Sequence, residues 1–121
     1  MRLVTFESGG EDRVGAWQGN SVIDVGLAVD WLRRGALGAE LRAELRKAVD
    51  TVVAGASPGH MIDLLERGEA WRRALGQILA TGAASPGALR IPQGVSTPLE
   101  KVRLRAPIPR PGKIVCVGLN Y

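Results

Sequence analysis

Apolar and polar residues alternate in short runs over the first 25 residues, and this pattern predicts β-strands. Apolar and β-branched residues, which favour extended backbone, occupy runs at residues 2–6, 14–17 and 21–25. Gly, Asn and acidic residues separate these runs, and Gly and Asn tolerate the positive φ of tight turns. Because strands joined by short turns pair antiparallel, we expect a three-stranded antiparallel meander.

From Leu27 onwards the apolar residues recur at every third or fourth position, which is the spacing of one helix face. This spacing predicts a helix that begins near Leu27 and ends at Gly35, since glycine commonly terminates helices. Three further helices are predicted, at residues 38–53, 61–66 and 69–80.

These elements predict an α+β domain: a small antiparallel β-meander packed with three to four amphipathic helices. Trp31 and Trp71 lie on apolar helix faces, so we expect them to anchor the helices to the sheet. Residues 81–98 are rich in Gly, Ala, Ser and Pro, which is typical of a linker or an exposed loop. We therefore place the N-terminal domain at residues 1–98.

Residues 99–112 are predicted to hold a closing strand and a proline-rich linker. Within residues 100–105, Val102 and Leu104 alternate with basic residues, which predicts a half-buried strand with a solvated basic face. Prolines at every second position then predict a stiff spacer, because each fixes its own φ and favours extended backbone before it. These are Pro107, Pro109 and Pro111.

The basic residues of this closing region suggest a possible partner. Five of them fall within thirteen residues that contain no acid: Lys101, Arg103, Arg105, Arg110 and Lys113. Such a segment is able to bind nucleic acid or an acidic partner, and the chain would then be a freestanding binding module with Lys101, Arg103 and Arg105 as its basic tail. The alternative is a solvated edge or a face against another part of a larger protein. That alternative is favoured because no aromatic residue is interleaved to stack on bases, so nucleic acid is not the expected partner.

Composition sets the broad class. The chain has 121 residues and a formal net charge of +4, a size that supports one modest core. No apolar run approaches the roughly 18–20 residues of a membrane span, and the N-terminus lacks the long apolar stretch of a signal peptide. The single cysteine, Cys116, has no internal disulfide partner. We therefore expect a cytoplasmic protein with no membrane partner.

No catalytic or metal-binding constellation is evident. His60 is the only histidine, and a lone histidine without a nearby nucleophile or acid makes neither a catalytic group nor a zinc site. Nucleotide-binding, zinc-protease and hydrolase-elbow motifs do not occur. The sequence therefore assigns no catalytic residue and no metal ligand.

The last twenty residues carry a specific family resemblance. Val102 to Tyr121, read as V-x-L-x-A-P-I-P-x-P-G-K-I-V-C-V-G-L-N-Y, resembles the junction between the N-terminal and catalytic domains of the fumarylacetoacetate hydrolase family. The opening MRLVTFESGG and the following RVGAWQGNSVIDV also resemble the start of that N-terminal domain. The helices between them are ordinary amphipathic helices.

The resemblance implies a divalent-metal-dependent enzyme of acylpyruvate-type or related 2-oxo and β-diketo acids. Members hydrolyse a carbon–carbon bond, and relatives decarboxylate, hydrate or isomerise similar acids. A Mg²⁺ or Mn²⁺ ion held by the catalytic domain would polarise the oxo-acid oxygens. The implied partners are that catalytic domain and a second copy in a homodimer, with the N-terminal domain helping to shape or cover the active site.

The resemblance also implies that this chain stops before the catalytic residues. The family's His and Glu follow the Asn-Tyr pair that matches Asn120 and Tyr121 here, so those two residues are expected only to position substrate. Residues 113–121 are then the first strand of a β-rich catalytic domain that is absent. Together with the closing basic strand and the proline spacer before it, this strand is expected to form a hinge between the two domains. The chain alone is predicted to be inactive. A weaker alternative is a subunit that donates residues 113–117 to another chain's sheet.

Overall fold

The protein is described by a computed structural model that covers residues 1–35, 42–81 and 91–115. It is an α+β structure in which a five-stranded antiparallel sheet is accompanied by four helices, as the sequence predicts for the class. The strands are β1 (Arg2–Ser8), β2 (Glu11–Gln18), β3 (Ser21–Asp24), β4 (Ser96–Pro98) and β5 (Arg103–Arg105). The helices are α1 (Val25–Arg33), α2 (Ala43–Val53), α3 (Met61–Glu66) and α4 (Gly68–Thr81).

The sheet confirms the predicted meander and extends it at both edges. Its order is β4-β3-β2-β1-β5, with neighbouring strands antiparallel. Thr5 lies opposite Val14 on one side and Arg105 on the other. The strand predicted to close the domain is therefore found beside the first strand of the chain.

The four helices appear where the apolar period predicts them, with differences at their ends. α1 begins at Val25 rather than near Leu27, because the Asp24 side chain accepts a hydrogen bond from the Leu27 N–H at 2.9 Å and caps the helix. Residues 38–41, predicted as the start of the second helix, lie outside the described residues. At the start of α4, Gly68 has φ of +79°, a conformation that glycine adopts readily.

The main core lies between the helices and one face of the sheet. Leu64 of α3 and Leu75 of α4 are fully buried there. Trp71 is buried as predicted, and its Nε1–H donates to the Val52 carbonyl at 3.1 Å. Trp31 is only half-buried and packs against the margin of this core. Of the two predicted anchors, Trp71 fits the role and Trp31 is peripheral.

The prediction of a linker or loop over residues 81–98 is wrong for its final part. Residues 96–98 form β4 against β3, and Val95 before them is buried. Residues 82–90 lie outside the described part of the chain. The sequence Ser-Thr-Pro has no apolar alternation, so this strand depends on its pairing with β3. Pro98 is tolerated because β4 is an edge strand.

The closing strand is shorter and more exposed than predicted. Leu99–Lys101 form a 3-10 turn, and only Arg103–Arg105 pair with β1. Leu104 is 46% exposed, so the prediction of a half-buried strand is wrong for this residue. The physical reason is its place in a three-residue strand at the edge of the sheet, where no neighbouring strand covers it.

The connection from β4 to β5 requires the sheet to be strongly curved. β4 and β5 lie at opposite edges, four strand spacings apart, which is about 19 Å in a flat sheet. The chain from Pro98 to Arg103 spans at most about 18 Å when fully extended, and a 3-10 turn shortens it. The curvature is consistent with a second apolar cluster, Phe6 and Val22, which are buried outside the main core.

Gly15 leaves the space that this second cluster occupies. A Cβ atom built at Gly15 would lie 2.4 Å from Cγ1 of Val22 and 3.0 Å from Cε1 of Phe6. We expect Gly15→Ala to lower the free energy of unfolding by about 2 kcal/mol through overpacking, measured by urea denaturation. Gly76→Ala is the control, because its added Cβ meets nothing within 4 Å, and it should stabilise α4 by roughly 1 kcal/mol. Equal effects at the two positions would contradict this prediction.

Candidate functional site

A cleft of about 700 Å³ lies where three separate parts of the chain meet. We call it the hairpin cleft. Its walls are the turn between β1 and β2, the start of α3, and the segment that follows β5. The lining includes Asp12, His60, Ile62, Arg105, Ile108 and Arg110. The volume falls within the range of small-molecule sites, and the lining combines apolar side chains with both signs of charge.

The α3 wall of the cleft is positioned by two arginines that hold the preceding loop. Arg33 donates to the Gly55 carbonyl at 2.6 Å. Arg67 donates to the carbonyls of Ala54 and Ala56. Because the C-terminal ends of α1 and α3 both hold this loop, the position of α3 is fixed relative to α1.

His60 stands at the N-terminal end of α3 and lines the cleft. Asp63 accepts hydrogen bonds from the backbone N–H groups of Gly59 and His60, at 3.2 and 3.1 Å. The sequence assigns no direct role to His60, and the structure places no catalytic triad around it within the described residues. What sequence reasoning missed is that this histidine lines the same cleft as acids and arginines from distant parts of the chain.

The basic residues of the closing strand are paired with acids. Arg105 contacts Glu7, and its Nε lies 3.5 Å from Oδ1 of Asp12. Arg103 lies 3.4 Å from the same Glu7 carboxylate. Glu7 belongs to β1 and Asp12 to β2, more than ninety residues earlier in the chain. Two of the five basic residues in the acid-free stretch, Arg103 and Arg105, are therefore paired with acids. This pairing reduces the support for a nucleic-acid surface made of Lys101, Arg103 and Arg105.

A second cavity of about 470 Å³ opens between the sheet and α4. Trp17 lines it, and the guanidinium of Arg2 lies 5.8 Å from the centre of the Trp17 ring. Gln18 also lines it and donates to the Leu79 carbonyl at 2.9 Å. The half-buried Trp17 ring therefore already has a cationic partner, so this cavity is a weaker site than the hairpin cleft.

The two residues expected to border the substrate, Asn120 and Tyr121, lie outside the described residues, as does Cys116. Residues 113–115 are described, belong to no strand, and expose Ile114 by 76% and Val115 by 81%. The division of the chain into residues 1–98, 99–112 and 113–121 stays a prediction.

In residues 1–35, 42–81 and 91–115, no group of three or more His, Cys, Asp or Glu side chains is arranged to hold a metal ion. None of the helices described is long and apolar enough to cross a bilayer. No protein-family model, curated protein or solved structure matches this chain.

Proposed function

We propose that this chain is the N-terminal domain of a divalent-metal-dependent enzyme resembling the fumarylacetoacetate hydrolase family. The enzyme acts on acylpyruvates or related 2-oxo and β-diketo acids, by carbon–carbon bond hydrolysis or by related decarboxylase, isomerase or hydratase chemistry. The metal, Mg²⁺ or Mn²⁺, and the acid–base residues belong to a catalytic domain beyond Tyr121. The domain described here helps to shape or cover that active site and assists the contacts of a homodimer.

One observation carries the proposal beyond the sequence resemblance. Ile114 and Val115, which open the stretch that resembles a catalytic-domain strand, have 76% and 81% of their surface exposed. Adjacent β-branched apolar residues usually lie in a core or an interface. A following domain that buries these two side chains accounts for both their chemistry and their exposure.

The test begins with the coding DNA beyond the codon for Tyr121. We expect a His and then a Glu within a few residues of Asn120 and Tyr121. The longer product should hydrolyse an acylpyruvate, with one water consumed and pyruvate and a carboxylic acid released. EDTA should abolish this activity and Mg²⁺ or Mn²⁺ should restore it, while release of CO₂ instead would identify the decarboxylase reaction.

The 121-residue chain is the matched control and should show no metal-dependent cleavage. Mg²⁺-dependent hydrolysis by this chain alone would contradict the proposal. So would a stop codon directly after Tyr121, or a longer product that is folded, loaded with metal and inactive on all these acids.

A further inference from the structure

Residues 106–111, which we call the proline strap, follow β5 and lie beside β1 and α3. We infer that this strap is locked to the sheet, with the Thr5 hydroxyl as the lock, and that it fixes the direction in which the chain leaves the domain. The strap is therefore not a hinge. This inference does not depend on the proposed function, because it concerns only contacts within the described residues.

The lock itself is a hydrogen bond between distant parts of the chain. The Oγ1–H of Thr5 donates to the Pro107 carbonyl at 2.6 Å, across 102 positions of sequence. Thr5 is only 4% exposed, so its hydroxyl has little access to water and depends on this acceptor. Freeing the strap would exchange this hydrogen bond for one to water, and the net contribution of such a bond to stability is about 1 kcal/mol.

Arg105, the residue before the strap, is held by ion pairs. Arg105 ends β5 opposite Thr5 and contacts both Glu7 and Asp12. Its guanidinium thus bridges two neighbouring strands at the base of the strap. The strap therefore follows directly on a residue that is fixed by strand pairing and by two carboxylates, and Thr5 holds the carbonyl of Pro107 two positions later.

The prolines restrict the backbone of the strap, so the strap continues in the direction set at its start. Pro107, Pro109 and Pro111 alternate with other residues, and each proline restricts both its own backbone and that of its predecessor. With few free dihedral angles, a segment held at Pro107 has a defined direction as far as Pro111. A Gly-rich segment of the same length would lose that direction within a few residues.

The docked strap also builds one wall of the hairpin cleft, through Ile108, Pro109 and Arg110. The opposite wall is the start of α3. Release of the strap would open the cleft, and any group that occupies the cleft would favour the docked strap by mass action. Because the same docked strap forms a wall of the cleft and directs the following chain, a molecule bound in the cleft would also stabilise the direction of the chain beyond Pro111.

Limited trypsin digestion of the full 121-residue chain tests the lock. Trypsin cuts after Arg or Lys unless Pro follows, so Arg105–Ala106 and Lys113–Ile114 are sensitive bonds while Arg110–Pro111 is resistant. We expect Thr5→Val to increase the rate of cleavage at Arg105–Ala106 about tenfold, which corresponds to about 1.4 kcal/mol. Cleavage at Lys113–Ile114, beyond the strap, should change little.

Two further variants make the result specific. Thr5→Ser keeps the hydroxyl and should keep the slow wild-type cleavage at Arg105–Ala106. Thr51→Val removes a comparable hydroxyl, which donates to the Lys47 carbonyl at 2.9 Å within α2, and should leave the strap unaffected. Urea denaturation of each variant confirms that it is folded under the digestion conditions.

Three outcomes would overturn the inference. Thr5→Val cut no faster than the wild type would show that the hydroxyl is not the lock. Thr5→Ser cut as fast as Thr5→Val would show that packing, and not the hydrogen bond, holds the strap. Wild-type chain cut at Arg105–Ala106 as fast as urea-unfolded chain would show that the strap is free.

Discussion

Replacing Trp71 by alanine is expected to lower the free energy of unfolding by about 4 kcal/mol. Trp71 is 5% exposed and is part of the main core. Its indole N–H donates to the Val52 carbonyl at 3.1 Å and so ties α4 to the end of α2. Alanine removes the largest buried side chain of α4, leaves a cavity, and deprives that carbonyl of its side-chain donor.

The control for this change is Trp31→Ala, which removes an identical side chain from a half-buried position at the margin of the core. We expect it to lower the free energy of unfolding by only about 1–2 kcal/mol. Trp71→Phe separates the hydrogen bond from the burial and should cost about 1–2 kcal/mol. Urea denaturation with shared m-values measures all three variants. Similar losses for the two alanine variants would contradict the assignment of Trp71 as the principal anchor.

Asp24→Ala is expected to lower the free energy of unfolding by about 3 kcal/mol. The carboxylate is 6% exposed and performs two tasks. Oδ1 accepts the Leu27 N–H at 2.9 Å and caps α1, and loss of such a cap costs about 1 kcal/mol. Oδ2 lies 2.6 Å from Nε of Arg13, and removing one member of a partly buried ion pair leaves the other without compensation.

Two comparisons isolate the causes of this loss. Asp50→Ala, on the exposed side of α2, should change the free energy of unfolding by less than about 0.5 kcal/mol. In a double-mutant cycle, Arg13→Ala together with Asp24→Ala should cost less than the sum of the two single changes. Strict additivity would show that the ion pair contributes nothing and that Asp24 acts only as the cap of α1.

The helices and the first three strands of this fold can be predicted from sequence patterns, whereas the two edge strands, β4 and β5, cannot be predicted fully. The period of apolar residues suffices for α4, whose predicted bounds of 69–80 are within one residue of the observed Gly68–Thr81. It fails for β4, since Ser-Thr-Pro has no alternation and becomes a strand only through its partner β3. The apolar pattern also fails to predict the exposure of Leu104, because Leu104 lies in the edge strand β5 and no local pattern shows that β5 is at an edge.

The hairpin cleft could not be predicted from the sequence either, because it also depends on contacts between distant residues. The hairpin cleft joins the turn near Asp12, the start of α3 at His60, and the strap near Arg110. These segments lie about fifty residues apart along the chain, so no motif of fixed spacing contains them. The resemblance instead directs attention to Asn120 and Tyr121. The sequence contains the one usable signal for the strap, which is its alternating prolines.

The pairing of β5 with β1 has a consequence for synthesis of the chain. Thr5 leaves the ribosome early, but its partners, Arg105 and the Pro107 carbonyl, are about a hundred residues later. At 5–20 residues per second, β1 waits on the order of 5–20 s with one edge open. During that interval Glu7 lacks Arg103 and Arg105, and nascent chains on neighbouring ribosomes are exposed to pairing through this edge. Completion of the sheet is therefore necessarily a late event, because it requires β5, and the Thr5 hydrogen bond to the strap forms later still.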